Sequence, residues 1–313
     1  STIGGKIYGI PNHEPRGHVA MIFYNKKLLA NAGYKKVPKH ISWDDLEKMA
    51  KASKKANPNT EGIELSVSSG WIIRTETSSM EVAVNPNFSA GYDASGRWNF
   101  KTGQKGSDPE ADAEVFKYLK KLKDEGLFAP GLMEDDSSTT MQAFKDGKSA
   151  FYMNEAEDIK GLQDSDIGDD IGVAYVPTKD GKPYYSGYSG ETNVNWEVSK
   201  NTEHFEEVKT FLKFIMDYEY KELVKRGMVS SPLKSINESV KSDSRLFNET
   251  RPMIDETIKV VPNAASKNLN TIDVTTEYDN NAPTTDDIKI LQGYLTDQLS
   301  ESQMKEQLKK YSE

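Results

Sequence analysis

Short apolar runs alternate with amphipathic helical segments along this chain, and that alternation constrains its fold more than any other feature. Residues 21–29 and 173–177 contain apolar runs of the strand type, and helical spacing of apolar residues follows Ser42 and Asp108. Such alternation is typical of an α/β protein and not of a helix bundle or a β-sandwich. A chain of 313 residues also exceeds what one hydrophobic core usually organises, so we predict two lobes.

Local signals predict where two of the helices begin and end. Ser42 is a predicted N-cap, and the helix that follows it ends before Asn57. A second helix begins at Asp108, with proline at its first position, and ends at Gly126. Residues 66–100 lie between them, are rich in Ser, Asn, Gly and Thr, and have no long periodic run. This segment therefore predicts strand fragments and loops.

Composition excludes several classes of function. The chain carries 40 basic and 49 acidic residues, and its formal charge of -9 disfavours binding to the phosphates of nucleic acid. It has no cysteine, which excludes thiol catalysis, thiolate metal sites and disulfide bonds. No motif indicates a cofactor. The printed residues contain no signal peptide, no lipid-attachment cysteine and no apolar run of transmembrane length.

Several short motifs occur in a characteristic order along the chain. They are the strand Gly5-Lys6-Ile7-Tyr8-Gly9-Ile10-Pro11, the apolar run at 21–29, the strand that follows Gly147-Lys148-Ser149-Ala150-Phe151, the segment Ser199-Lys200-Asn201, the helical Phe211-Leu212-Lys213-Phe214 and the loop at 227–232. In this order they resemble the family 1 extracellular solute-binding proteins, the receptors of bacterial ABC sugar importers. The resemblance covers most of residues 4–313 and is weakest over 60–105 and 235–285.

The resemblance implies a two-lobed fold of the type II periplasmic-binding-protein class, similar to the maltose-binding proteins. In such a fold the chain crosses between the lobes several times, and the ligand lies in the cleft between them. Residues 1–18 and 192–240 are then expected to form lobe one, and residues 19–191 and 241–313 to form lobe two. The first strands and helices of lobe one have no counterpart in this sequence, so we expect lobe one to be incomplete and the competence of its cleft to need testing.

A sugar site needs flat aromatic faces against C–H surfaces, and short polar side chains that bond paired hydroxyl groups. The resemblance places candidate ligand contacts in the crossings, in the loop after Ser68-Ser69-Gly70 and at the end of the strand after Gly147. These candidates are Asn12, His13, Glu14, Arg16, His18, Trp71, Asn154, Glu155, Tyr188, Glu191, Asn193 and Asn195.

Each group of candidates has a structural alternative. Glu14 and Arg16 are also suited to pair with each other on an exposed loop, and Trp71 is equally suited to a core position. Glu191 and Asn193 are suited to cap or bridge a hinge. The sequence also departs from the family after Glu155, because Ala156 follows where many members carry an aromatic residue. That departure weakens the expectation of a second stacking platform.

Catalytic and metal-binding interpretations have less support. The acids Glu134, Asp135 and Asp136 are adjacent, which does not suit the opposed carboxylates of a glycosidase, and helix capping accounts for them. An aspartate series at 164–170 lacks the glutamate of a calcium loop, because Tyr175 stands at the twelfth position. The histidines His13, His18, His40 and His204 form no metal-binding motif.

We therefore expect a binding protein that performs no reaction. It captures a carbohydrate, an oligosaccharide in our expectation, and delivers it to the membrane permease of an ABC importer. We expect a monomer outside the cytoplasm, either a cell-surface lipoprotein or a periplasmic protein, whose signal segment is not among these residues. The alternatives are a receptor for another small solute such as a polyamine, a carbohydrate-active enzyme, or a chain that serves only as a scaffold or surface antigen.

Overall fold

The computed structural model describes residues 2–3, 6–7, 9–11, 19–85, 108–182, 195–228, 231, 233–260 and 286–312. Its strands are β1 (Thr2–Ile3), β2 (Lys6–Ile7), β3 (Ile10–Pro11), β4 (Ala20–Asn25), β5 (Glu61–Glu64), β6 (Ser149–Glu155), β7 (Ile171–Tyr175) and β8 (Asn195–Trp196). Its helices are α1 (Lys26–Asn31), α2 (Trp43–Ala56), α3 (Gly70–Val84), α4 (Pro109–Asp124), α5 (Ser137–Lys145), α6 (Ile159–Gln163), α7 (Phe205–Phe214), α8 (Tyr220–Lys225), α9 (Lys234–Ser239), α10 (Arg245–Val260), α11 (Asp286–Leu295) and α12 (Glu301–Ser312). Two 3-10 turns, Ala156–Asp158 and Gly168–Asp170, and a π-helical turn, Ile215–Glu219, lie among them.

A four-stranded sheet in the order β5-β6-β4-β7 forms the centre of the described structure. Strand β5 runs parallel to β6, whereas β4 runs antiparallel to both β6 and β7. Every residue of β6 and of β7 is buried. Strands that are covered on both faces are expected to be near-continuous apolar runs, which is the pattern of residues 171–175.

The two faces of the sheet bury separate groups of side chains. Neighbouring residues of β4 point to opposite faces, so Ile22 belongs to one hydrophobic cluster and Phe23 to the other. Helices α1 to α4, α11 and α12 cover the Ile22 face, and helices α5, α6 and α8 to α10 cover the Phe23 face. This arrangement of a sheet between two helical layers confirms the predicted α/β class.

The predicted helix caps are confirmed. Ser42 is the N-cap of α2, and its side chain accepts a hydrogen bond from the backbone N–H of Asp45. Asp108 caps α4 in the same way. Asp136 caps α5 and accepts a hydrogen bond of 2.8 Å from the N–H of Thr139, which agrees with the capping interpretation of the acidic run at 134–136.

The prediction for residues 66–100 was wrong where the structure describes them, because α3 is a helix of 15 residues within that segment. Its polar residues are not confined to one exposed face. Glu76, Thr77, Ser79 and Glu81 are all buried, as are its apolar Ile73 and other core residues. A helix that is covered on several sides does not show the separation of polar and apolar residues from which a helix is recognised.

A separate pair of short strands joins distant parts of the chain. Strand β3 pairs antiparallel with β8, with Ile10 opposite Trp196 and Pro11 opposite Asn195. This pairing brings the strand that precedes the candidates 12–18 in the sequence next to the strand that contains the candidate Asn195. Ile215, Tyr220, Val224 and Ile236 belong to the cluster on the Phe23 face of the sheet. The division into two lobes remains a prediction. In the described part of the chain, no helix combines the length and the apolar character needed to cross a membrane.

The close approach of the Leu127 backbone and of α2 to β5 requires a glycine at position 62. A Cβ atom there would lie 2.5 Å from the backbone oxygen of Leu127 and 3.3 Å from the Cβ of Ala50. Gly62→Ala is therefore expected to lower the free energy of unfolding by about 1 to 3 kcal/mol, as overpacking of a core does, in urea denaturation. Gly161→Ala is the matched control, since a Cβ there makes ordinary contact with Met141 at 3.5 Å. An equal loss for both variants would contradict this role of Gly62.

Candidate functional site

One edge of the central sheet gathers the ends of several strands. The parallel strands β5, β6 and β7 end there, at Glu64, Glu155 and Tyr175, and the antiparallel strand β4 begins there at Ala20. In α/β sheets, ligands bind in the crevice outside the carboxyl ends of the strands. We define the carboxyl edge as Val19, Ala20 and residues 66–71 and 154–156.

The loop after β5 is held in place by serine hydroxyl groups. Ser66 Oγ and Ser68 Oγ each donate a hydrogen bond of 2.7 Å to the backbone oxygen of Asp135. Ser69 Oγ accepts a hydrogen bond of 3.3 Å from the N–H of Ser137. The loop is thereby attached to the start of α5, and it leads directly into α3. Because Ser69 makes no side-chain cap to α3, the positive end of that helix faces the carboxyl edge uncapped by its own N-cap residue.

Asn154 belongs to a polar network on the Phe23 face of the sheet. Its Nδ2 group donates to the hydroxyl of Tyr152, which in turn donates a hydrogen bond of 2.6 Å to Oδ2 of Asp158. Its Oδ1 accepts the N–H of Glu155 at 2.8 Å. Burial is the main cause that raises the pKa of Asp158 to about 6. The network fixes the last turn of chain before α6.

Glu155 points to the opposite face of β6, toward α3. Its side chain is buried, and so is that of Glu76 on α3. The two carboxyl oxygens of Glu76 have no hydrogen-bond partner among the described residues. Burial, and then the negative charge of Glu155, raise the pKa of Glu76 well above its ordinary value. Burial therefore favours the protonated form of Glu76, beneath the carboxyl edge.

Glu64 is a third acid at this edge, and its pKa is also raised. Glu64, the last residue of β5, is buried, and burial together with the charges of Asp135 and Glu61 raises its pKa to about 7. Acids with perturbed pKa values cluster at functional sites more often than elsewhere. In the described chain, no group of three or more His, Asp or Glu side chains is arranged to hold a metal ion.

Among the candidate ligand contacts, the structure describes the side chains of Asn154 and Glu155, both buried in β6. Trp71 lies in the first turn of α3 and Asn195 in β8, each described by its backbone only. The candidates outside the described residues are Asn12, His13, Glu14, Arg16, His18, Tyr188, Glu191 and Asn193. None of these assignments is tested by the structure, and all remain predictions.

Backbone pairing nevertheless places strands that contain or flank these candidates side by side. Glu155 is opposite Ala20, and the N–H of Ala156 donates a hydrogen bond of 2.9 Å to the oxygen of Val19, directly after the predicted contact His18. Asn195 is opposite Pro11, directly before Asn12. Val19 thus lies beside β6 and Pro11 beside β8, and these two residues stand on either side of the candidates 12–18 in the sequence.

Sequence reasoning missed Glu76, although a signal for it was present. Ile72, Glu76 and Met80 are spaced by four residues and are all buried on α3. An acid at an apolar position of a helical repeat indicates either a buried charge or a protonated carboxyl group. That repeat is only visible once residues 70–84 are considered as a helix.

This chain is similar to proteins of known family and known structure. The family model "Bacterial extracellular solute-binding protein" matches residues 1–247. A chitin oligosaccharide binding protein of known structure has 24% sequence identity and a TM-score of 0.70, over 99% of this chain and 72% of that chain. The GacH receptor of Streptomyces glaucescens GLA.O has 18% identity and a TM-score of 0.68, over 97% and 70%. A comparison with curated protein sequences gives no match.

A third solved structure, the maltose-bound MalE3 of T. maritima, has 17% identity and a TM-score of 0.65, over 99% of this chain and 73% of that chain. These likenesses confirm the predicted type II solute-binding fold. The family model covers well over half of the residues, and its match includes the carboxyl edge. The chain belongs to the bacterial extracellular solute-binding protein family.

Proposed function

We propose that this protein captures an oligosaccharide outside the cytoplasm and delivers it to the membrane permease of an ABC importer, and that it performs no reaction itself. The observation that carries this proposal is the family match over residues 1–247. The named relatives add support, since they are described with a chitin oligosaccharide, with acarbose and with maltose. All of these are saccharides or their analogues.

The carboxyl edge supports a ligand site at the interlobe cleft. It contains the start of α3, the end of β6 and Val19, which directly follows the candidate His18 in the sequence. Residues 1–18 and 192–240 would form one lobe, and residues 19–191 and 241–313 the other. The ligand would bias an equilibrium between open and closed arrangements of these lobes.

Trp71 is the contact on which this proposal depends most. It is located in the first turn of α3, after a loop that Ser66 and Ser68 fix to the start of α5. An aromatic ring at a position held in this way suits stacking against a sugar face. The remaining ligand contacts are proposed at Asn12, His13, Glu14, Arg16, His18, Asn154, Glu155, Tyr188, Glu191, Asn193 and Asn195.

The cellular setting follows from the same family. We propose that the protein is a monomer that works either as a lipoprotein at the cell surface or in the periplasm. Its ligand and the importer permease would be its partners. The absence of cysteine from these 313 residues means that any lipid-attachment cysteine would have to lie outside them.

A thermal-shift panel tests the function directly. We expect one class among chitin, malto- and xylo-oligosaccharides to raise the melting temperature, because a ligand that binds only the folded state adds about 2.7 kcal/mol at 100 times its Kd. Trp71→Ala is expected to weaken that binding at least tenfold in calorimetry, about 1.4 kcal/mol. Trp98→Ala is the control, because Trp98 is not among the proposed contacts. Turnover of an oligosaccharide, or binding of spermidine alone, would contradict the proposal.

A further inference from the structure

The loop between β5 and α3 is bonded to two separate parts of the chain. On one side, the hydroxyl groups of Ser66 and Ser68 donate to the backbone oxygen of Asp135, just before α5. On the other side, Nε2 of Gln292 on α11 donates a hydrogen bond of 3.0 Å to the backbone oxygen of Val67. The two partners of this second bond are 225 residues apart in the sequence. The loop is therefore held in part by a distant helix.

Val67 has no access to water, and both of its backbone groups bond outside the loop. Its exposed fraction is 0%. Its N–H donates a hydrogen bond of 3.0 Å to the oxygen of Leu132, and its own oxygen accepts the bond from Gln292. A buried carbonyl oxygen that loses a donor keeps the cost of its desolvation without the compensating bond. Removal of the Gln292 amide would therefore favour loop arrangements in which Val67 moves toward water.

The same face of α11 also contacts the first residue of α3. Ile288 lies one helical turn before Gln292, and residues four apart on a helix share a face. A Cβ atom at Gly70 would lie 3.5 Å from Cδ1 of Ile288, so this side chain packs directly against that glycine. Trp71 follows Gly70 in the sequence. This face of α11 therefore contacts both the loop and the residue directly before Trp71.

Helix α11 is itself anchored in the core, so it provides a fixed support for the loop. Its residues Leu291 and Leu295 are buried and belong to one of the two hydrophobic clusters. The turn after α11 is joined to α4 by an ion pair of 3.0 Å between Asp297 and Lys120. None of these contacts involves Gln292. Loss of the Gln292 amide is therefore expected to leave α11 in place and to release only the loop.

We propose that Gln292 is a positioning residue of the ligand site, because its hydrogen bond to Val67 fixes the backbone that leads into Trp71. This inference rests on the proposed function, in which Trp71 contacts the sugar. A loop that is already ordered loses less freedom when the ligand binds, and affinity rises accordingly. If the binding-competent arrangement is only partly populated, the apparent Kd rises by the inverse of its fraction.

Amide hydrogen exchange measured by NMR tests the hold of Gln292 on the loop without any ligand. Gln292→Met removes the amide at nearly constant length, and Gln307→Met makes the same change at an exposed position of α12. We expect the amides of Val67 and Ser69 to exchange about fivefold faster in Gln292→Met, which is the effect of one ordinary hydrogen bond. The amide of Ile63 in β5 should not change, and Gln307→Met should change none of the three.

Calorimetry with the oligosaccharide that stabilises the unchanged chain tests the effect on binding. Gln292→Met is expected to raise the Kd about fivefold, because the competent arrangement of the loop becomes the minor one. Gln307→Met should leave the Kd unchanged. Both variants should melt within about 3 °C of the unchanged chain. A fall of about 8 °C or more in Gln292→Met would mean that this side chain supports the core, and would overturn the inference.

A third variant separates positioning from packing. Gln292→Glu keeps the side-chain length but presents a carboxyl group, which donates a hydrogen bond only when it is protonated. The neighbouring carbonyl oxygen of Val67 favours that protonated form. The Kd of Gln292→Glu, divided by that of the unchanged chain at the same pH, should be about fivefold at pH 8 and fall toward one at pH 4. The corresponding ratio for Gln292→Met should be the same at both pH values.

Two further results would overturn the inference. Unchanged exchange of Val67 and Ser69 in Gln292→Met would show that the loop is held without the amide. Faster exchange with an unchanged Kd would show that the hold serves stability and not binding. If the unchanged chain binds no oligosaccharide at all, the proposed function fails and the ligand role of Gln292 fails with it. The exchange measurement needs no ligand, so it distinguishes that failure from a loop that Gln292 does not hold.

Discussion

Glu76→Gln is expected to raise the free energy of unfolding at pH 8. Glu76 is buried beneath the carboxyl edge, and burial and the charge of Glu155 raise its pKa well above the ordinary value. The substitution replaces a group that must either ionise in the core or retain a proton with one that is neutral at every pH.

The sign of this pH dependence follows from whether the folded or the unfolded chain binds the proton of Glu76. Between the ordinary pKa of a glutamate and the raised pKa of Glu76, the folded protein binds a proton that the unfolded chain releases. The stabilisation is complete below the ordinary pKa and is lost as pH rises through the raised pKa. Wild type and Glu76→Gln should therefore have similar stability at pH 4 and diverge as the pH rises. Glu64, with a pKa of about 7, and Asp158, with a pKa of about 6, contribute in the same direction.

Urea denaturation at pH 4, 6 and 8 measures this divergence. Glu47→Gln is the matched control with the opposite sign, because hydrogen bonds from Lys121 and Lys51 lower the pKa of Glu47. Its ion pairs add stability above the ordinary pKa, and that stability is lost as the pH falls through the lowered value. Glu47→Gln should therefore cost a small amount of stability at pH 8. Parallel curves for wild type and Glu76→Gln would show that Glu76 is not held protonated in the fold.

Local chemistry explains which parts of the fold the sequence could predict. Ser42, Asp108 and Asp136 each cap a helix through a backbone N–H within three residues, so their roles depend only on neighbours in the sequence. The buried strand β7 is equally recognisable, because both of its faces require apolar side chains. The family resemblance was confirmed because it depended on the order of such local motifs and not on any single one.

Contacts between distant residues explain why the other parts of the fold could not be predicted from the sequence. Helix α3 was missed because several layers cover it, so that Glu76 and Thr77 are buried beside apolar residues. Pro11 pairs with Asn195, which is far from it in the sequence, so no local pattern predicts this contact. At the candidate site, the sequence indicated Asn154 and Glu155 together, but strand alternation directs their side chains to opposite faces of β6. The raised pKa of Glu76 beneath the edge is caused mainly by burial, which appears only after folding.

Tyr152→Phe is expected to lower the free energy of unfolding by about 2 to 4 kcal/mol, because one hydroxyl satisfies two partly or fully buried groups. That hydroxyl accepts a hydrogen bond from Asn154 and donates one of 2.6 Å to Asp158. Its loss leaves the amide of Asn154 without this acceptor at the end of β6. The bond from Tyr152 also lowers the pKa of Asp158, so the variant should raise that pKa above its present value of about 6.

Two measurements separate this effect from a general loss of packing. Urea denaturation at pH 7 gives the change in stability, and NMR titration of the Asp158 carboxyl carbon gives its pKa. Tyr218→Phe is the control, since it removes the hydroxyl of an exposed tyrosine and should alter stability by no more than about 0.5 kcal/mol. A Tyr152→Phe variant that is less stable but leaves the Asp158 pKa unchanged would contradict the network. If both change, the last residues of β6 are held at the carboxyl edge by hydrogen bonds, which is the rigidity that a ligand site at this position requires.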